Sequence, residues 1–299
     1  MDGVKMVQGV QEYIFKHYQE EWFNMEEICK AVGCSRRQVD RLFKEYLNTT
    51  LSAYIKAVCL TKSATELCNE KKSITEIAFD NRFDSHEGFS RAFSRRFHIL
   101  PSQYRESKIA IPLFVQYPIN HYYVLLKHKE ATKMDNNSVN ICTVTAKERT
   151  RRKLIYLSSH QAQDYLSYCE EVGCEWEGLL NSISEKYEKA ALIELPEALA
   201  PKGFSKIAAG VEVPFEYDKC IPKGYKIMEL PECIMLYFQT EPYEDEENFC
   251  YAIGNAYAAI EKYNPTTYGY QFAYDIAPSF NFGASAKTGA MVAVPVIKL

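Results

Sequence analysis

The sequence predicts a multidomain chain: an all-α N-terminal part followed by an α+β C-terminal part, the latter an antiparallel sheet built from duplicated β-α-β-β halves. Three observations lead there. At 299 residues the chain exceeds the roughly 100–200 residues that one domain usually takes. Up to about Ser107 apolar residues recur at helical steps with one proline, Pro101; beyond it prolines and short β-rich runs take over. Charge shifts at the same place, from 17 Lys/Arg against 15 Asp/Glu in residues 1–108 to 18 against 24 in residues 109–299. The expected divisions are a helical domain at 1–108, a connecting segment at 109–138 and a sheet domain at 139–299. Within the segment, the aromatic first part is expected to pack onto one of the domains and residues 127–138 to form the linker.

Composition narrows the classes further. Hydrophobic residues at 47% and charged residues at 25% exclude wholesale disorder, collagen and a coiled coil. No uncharged apolar run reaches ~18 residues and the N-terminus lacks a signal-peptide pattern, so a soluble, cytoplasmic protein with no membrane partner is expected. Ten cysteines include no C-x-x-C pair. Cys29/Cys34 and Cys169/Cys174 are each separated by four residues but lack the companions of a zinc site, so reduced thiols and neither metal nor cofactor are expected. A net charge of -4 taken alone argues against nucleic acid.

Along the N-terminal part, Val7, Val10, Ile14 and Tyr18 give a first helix its apolar stripe. Asn24 with Glu27 makes a capping-box start for a short helix through Ala31, with Gly33 as the turn. Ser35 with Gln38 starts the next, whose inward face is Val39, Leu42, Phe43 and Tyr46. About 50 residues on, the unit repeats: Ser73 with Glu76 is another capping box, and Ser35/Ser85, Val39/Phe89, Phe43/Phe93 and Tyr54/Tyr104 match in step. Between the copies, residues 51–68 form a long helix that would hold them rigidly apart.

Two short helices around a turn, occurring twice, make two helix-turn-helix motifs. The outward residues are Arg36, Arg37, Asp40, Arg41 and Lys44 in the first copy and His86, Glu87, Arg91, Ser94 and Arg95 in the second, with Arg96 and Arg105 close by. Arginine's planar fork bonds guanine edges and phosphates bidentately. A single such face is usually only solvated; two repeated ones favour DNA. A near-neutral total charge is no objection, since groove docking follows the local field.

Residues 5–107 resemble the DNA-binding domain of the AraC/XylS family of bacterial transcription regulators. The resemblance rests on YIKAVCLTKSATELC, ITEIAFDNRFDSHEGFSRAFSRRF and the terminal LPSQYR. It implies that Ser35–Tyr46 and Ser85–Arg96 enter successive major grooves ~34 Å apart, with Arg37, Asp40, Arg41, His86, Glu87 and Arg91 as base readers. The partners implied are double-stranded promoter DNA and RNA polymerase. The family's usual glycines before the second turn's aromatic and before the final proline are replaced by Arg82 and His98. If φ is positive there, a non-glycine costs on the order of 1 kcal/mol. Arg82 is the less expected of the two, and is expected either to reach phosphate or to sit in an altered turn.

Residues 139–299 carry no phosphate-binding glycine loop, G-x-S-x-G or H-E-x-x-H. SVNICTVTA, KIAAGVEV and YKIMEL read as strands around helical material at 160–189; CIMLYFQT, YGYQFAYDI and GAMVAVPVI read as strands around a helix at 246–262. With GVEVP in the middle and AVPVIKL at the end, this part resembles the GyrI-like small-molecule-binding domain. The resemblance implies an aromatic effector cleft and, in several members, a buried carboxylate that attracts lipophilic cations. Ligand candidates are Tyr156, Trp176, Glu212, Tyr237, Tyr268, Tyr270, Phe272 and Tyr274, the last four on one face of an alternating strand. Glu229 and Asp275 are further carboxylate candidates. The leading expectation is a transcription activator sensing a small lipophilic molecule, with no catalytic residue assigned. The alternative is that this part is a hydrolase, with Glu212 or Glu229 near a strand tyrosine, or a sequestering domain for hydrophobic toxic compounds.

Overall fold

A computed structural model describes residues 3–69, 71–121 and 141–299. The chain divides into two compact units, residues 1–123 and 124–299.

In the first unit the described residues form α1 (Gly3–His17), α2 (Met25–Val32), α3 (Arg36–Leu47), α4 (Leu51–Asn69), α5 (Ile74–Asp80), α6 (His86–Phe97) and α7 (Pro101–Ser107). The capping boxes at Ser35/Gln38 and Ser73/Glu76 are complete. At Asn24 only half of the expected box forms. Its side chain accepts from the Glu26 and Glu27 amides at 2.9 and 3.1 Å, while the Glu27 carboxylate goes to Lys30 at 2.7 Å. Two small cores result, one around Val39, Phe43 and Tyr54, the other around Phe89, Phe93 and Tyr104. α4 is built into both, giving Leu51, Tyr54 and Val58 to the first and Leu60, Ala64 and Leu67 to the second.

The aromatic start of the connecting segment packs on this unit. Ile111 joins the second core and Ile119 the first. The Phe114 amide donates to Thr61 Oγ1 at 2.7 Å. Gln11 holds the strap at two points, donating to the Tyr117 carbonyl at 3.0 Å and accepting from the Ile119 amide at 2.9 Å. The expected linker at 127–138 lies outside the described residues.

The second unit contains β1 (Cys142–Arg149), β2 (Arg152–Ser158), α8 (Tyr165–Val172), α9 (Glu175–Asn181), β3 (Ala191–Glu194), β4 (Ile207–Pro214), β5 (Lys226–Leu230), β6 (Cys233–Thr240), α10 (Phe249–Lys262), β7 (Tyr270–Phe272), β8 (Ser279–Ser285) and β9 (Gly289–Lys298). All pairings are antiparallel, in the order β1-β6-β9-β8-β3-β4-β2-β5, with β7 on the far end of β9. β5 ends the sheet at one side, yet only two residues link it to β6, next to the other side. The sheet must therefore curl until its ends meet. α10 packs on the outer face through Ala252, Ala256 and Ile260. The inner face is a separate core of Leu154, Tyr156, Ile193, Tyr237, Phe280 and Phe282.

Two expectations are corrected. The strand at 138–146 does not belong to the first half: β1 runs eight residues along β6, from Cys142 opposite Thr240 to Arg149 opposite Cys233. β2 takes the place expected for it, between β4 and β5. The aromatic run 268–276 pairs over only Tyr270–Phe272, because Tyr268 ends a short 3-10 helix and Gly269 turns left-handed at φ 77°.

Candidate nucleic-acid interface and effector cleft

In the sheet unit the curl brings charged side chains onto the inner face. Arg152 is fully buried and donates through Nε to Glu212 Oε1 at 2.5 Å, and through Nη1 to the Pro231 carbonyl at 2.7 Å. Arg149 Nε stands 3.5 Å from Glu212 Oε2, and its Nη2 donates to Tyr237 Oη at 2.5 Å. Glu188 meets Arg149 at 3.2 Å and Lys147 at 2.8 Å. Glu212 is thus a buried carboxylate, as a cation site would need, but two guanidiniums already answer its charge. Removing one partner of such a pair costs roughly 3–5 kcal/mol, since it strands the other charge. Glu229 is exposed and paired with Arg151, and Asp275 is exposed.

The aromatic candidates are not brought together. Tyr156 and Tyr237 line the inner face. Trp176 is buried on α9, edge-on to Tyr168 with ring centroids 6.0 Å apart, so it is helix-side core. Tyr268 is 65% exposed and stacks on Tyr263. Tyr270 and Phe272 lie beside the core that α10 covers. Only Tyr274 lines an open cleft. That cleft, of about 460 Å³, runs between α10 and the ends of β3 and β8 and is bordered by Glu194, Glu197, Glu261, Lys206, Tyr257 and Tyr274. Burial, then the Glu194 carboxylate, pushes the Tyr257 and Tyr274 hydroxyls above the usual phenol value, so both remain neutral donors at pH 7. Three carboxylates against one lysine beside two rings suit a lipophilic cation. The three carboxylates come from β3, the loop after it and α10, which a reading strand by strand does not join.

In the helical unit α3 and α6 present the expected faces. Arg36, Arg37, Arg41 and Lys44 are exposed on α3, with Asp40 half-buried; Glu87, Arg91 and Arg95 are exposed on α6, with His86 half-buried. Arg36 reaches Asp40 at 3.8 Å and Arg41 reaches Glu45 at 3.7 Å. Such exposed pairs are worth little and leave the guanidiniums free to exchange partners. Arg41 and Arg91 hold the same place in the repeat, and Ser35 and Ser85 cap the two helices alike. Arg96 and Arg105 instead hold local structure, donating to the Pro112 carbonyl at 3.3 Å and the Lys72 carbonyl at 2.8 Å.

A model described as a helix-turn-helix domain matches residues 28–107. The Transposon Tn10 TetD protein of Escherichia coli is 37% identical over 94 residues, 31% of this chain and 68% of TetD. The chain belongs to the AraC family of helix-turn-helix transcription regulators. The transcriptional regulator Rob of Salmonella typhimurium is 31% identical over 107 residues, 36% of this chain, which spans only 37% of Rob. Among solved structures, a transcriptional regulator from Chromobacterium violaceum with an AraC-type DNA-binding domain is 31% identical, covering 34% of this chain and 91% of that one, with a TM-score of 0.33.

The AraC-family chain is therefore a DNA-binding transcription regulator, and its departures from the family's glycines have a structural account. Arg82 and His98 are both left-handed, at φ 68° and 58°. His98 ends α6 as Asn48 ends α3, at φ 50°, and both residue types tolerate that region. Arg82 does not extend into solvent toward phosphate. Its guanidinium donates to the carbonyls of Tyr18, Glu20 and Phe23 at 3.4, 3.0 and 2.5 Å and lies over the Phe23 ring at 5.2 Å. The turn of the α5–α6 pair is thereby tied to the loop before α2. Sequence reasoning missed this partner because the carbonyls lie some sixty residues upstream and carry no side-chain signature.

Proposed function

We propose that this AraC-family regulator is a transcription activator that reads two successive major grooves of promoter DNA and answers to a small lipophilic effector. α2–α3 and α5–α6 are the two helix-turn-helix motifs, and α3 and α6 are their recognition helices. The observation that carries this reading is the equivalence of the pairs: Arg41 and Arg91 are exposed at matching positions on helices capped alike at Ser35 and Ser85, with the pairs tied through Arg82.

The sheet unit is read as a GyrI-like effector domain. The β2-α8-α9-β3-β4 and β6-α10-β8-β9 successions support the duplicated halves that such a domain has. The acidic, tyrosine-lined cleft supports a cationic lipophilic effector held there, in place of the Glu212 site that Arg149 and Arg152 occupy. Effector binding shifts the population of a form that recruits polymerase or holds DNA more tightly.

The test is a footprint on the chain's own promoter region, with and without a panel of lipophilic cations. Two protected patches one helical turn apart on one face are expected, with occupancy or extent changed by an active compound. Unchanged sequence-specific retention in Arg41→Ala and Arg91→Ala overturns the groove assignment. An active compound whose effect survives Glu194→Gln together with Glu261→Gln overturns the cleft.

A further inference from the structure

Two buried polar side chains meet beside the second core of the helical unit. Glu66 lies on α4, one residue before the core's Leu67, and Asn81 caps α5 after the core's Ile77 and Ala78; they are 5% and 1% exposed. Asn81 Nδ2 donates to Glu66 Oε2 at 2.7 Å and to the Ile77 carbonyl at 2.9 Å. The first bond crosses to α4 and the second fixes the amide on its own helix. Asn81 Oδ1, also buried, has no hydrogen-bond partner among the described residues, so the amide serves here as a donor alone. Lys62 Nζ stands 3.9 Å from Glu66 Oε1, beyond hydrogen-bonding distance. Burying a carboxylate costs desolvation that such partners only partly return. What the bond supplies beyond apolar packing is direction: it fixes where the end of α5 lies against α4.

The first pair has no such bond at the corresponding place. Val32 precedes its left-handed Gly33 and packs on the first core, where Asn81 precedes the left-handed Arg82. Asn81 and Arg82 are neighbours that hold in different directions. Asn81 fastens the turn to α4, and Arg82 fastens it to the carbonyls of Tyr18, Glu20 and Phe23 in the loop before α2. That loop leads into the first pair, and α4 belongs to both cores. The α5–α6 turn is thus clamped to the shared helix and to the other pair at successive residues.

We propose that Glu66 is a positioning residue for DNA reading: through Asn81 it locks the α5–α6 turn on α4, so that α3 and α6 meet the duplex in one fixed relation. The inference rests on the two-groove reading above and adds to it what sets the relation of the two recognition helices. With that relation fixed beforehand, docking one helix holds the other at a high effective concentration over its own groove. With the joint released, each helix still reads its half-site, but the second must be aligned anew after the first has bound. The gain from having two half-sites therefore falls.

The test uses the full chain and the promoter duplex that its wild-type footprint protects, beside two duplexes in which one or the other half-site is scrambled. Mobility shifts give the factor by which the two-site duplex is held more tightly than either single one. Glu66→Leu combined with Asn81→Val removes the bond without stranding either polar partner, and α6 amide protection is expected to persist in it. This double variant is expected to cut the factor roughly 5- to 10-fold, with retention on single half-sites within about two-fold of wild type. Glu66→Gln, whose amide oxygen can still accept from Asn81 Nδ2, is expected to keep the factor that Glu66→Ala loses. An undiminished factor in the double variant overturns the proposal, as does Glu66→Gln behaving like Glu66→Ala. A fall of equal size on single half-sites, or loss of α6 protection in the double variant, also overturns it, because the pair would then hold the fold and not the relation of the helices. A wild-type chain that gains nothing from a second half-site overturns the two-groove reading itself, and the inference with it.

Discussion

The α2–α3 and α5–α6 pairs each turn on a left-handed residue just after their first helix, and fill that place differently. Gly33 turns the first pair at φ 67°, and Arg82 turns the second at φ 68°. A left-handed residue with a Cβ costs about 1 kcal/mol, so glycine is the cheaper choice where the turn has only to turn. At Arg82 the turn also reaches the carbonyls of Tyr18, Glu20 and Phe23. Bonds from a charged donor to carbonyls near a helix end are among the stronger ones, and here they offset the strain. The same local shape is thus met by the residue with least side chain in one copy and by one of the longest in the other, because only the second copy has something distant to hold.

The largest expected effect tests whether the pairs are equivalent in use. Arg41→Ala and Arg91→Ala are each expected to weaken specific DNA retention roughly 10-fold or more and to relax the sequence preference of one half-site; mobility shifts on half-site variants read this. Loss confined to one variant breaks the equivalence. Next, Arg82→Ala keeps the left-handed backbone and deletes the tie, so urea unfolding should show a loss of about 1–3 kcal/mol. Arg82→Gly should lose about 1 kcal/mol less, since it also relieves the strain. Gly33→Ala should cost about 1 kcal/mol and leave the α5–α6 pair's amide protection unchanged. If it disturbs both pairs, the first turn carries more than geometry. The smallest effects are at the caps: Ser35→Ala and Ser85→Ala should each cost about 1 kcal/mol, equally within error.

What could be read from the residues depends on how far apart the cooperating groups lie. Ser35 with Gln38 and Ser73 with Glu76 close their bonds within one turn, so those helix starts are visible in the sequence. β6 is legible for a similar reason, its apolar run matching Cys233–Thr240. β2 is not, because it opens on Arg152 and Lys153, which look like surface. Arg152 is buried only because Glu212 and the Pro231 carbonyl, 60 and 79 positions away, receive it. The acidic cleft fails in the same way: Glu194, Tyr257 and Tyr274 meet only once β3, α10 and the turn after β7 are assembled. The alternation of YGYQFAYD is real, but Gly269 ends it on one side and the turn from Ala273 to Ile276 on the other.

α4 belongs to both small cores of the helical unit, and its 19 residues make a rod of about 28 Å. On the two-groove reading proposed above, two reading heads on one stiff rod measure phase as well as sequence. Moving the half-sites apart by about five base pairs would turn the second to the opposite side of the duplex, where the rod cannot bend to follow it. Each half of the operator would then be intact and the whole would be unreadable.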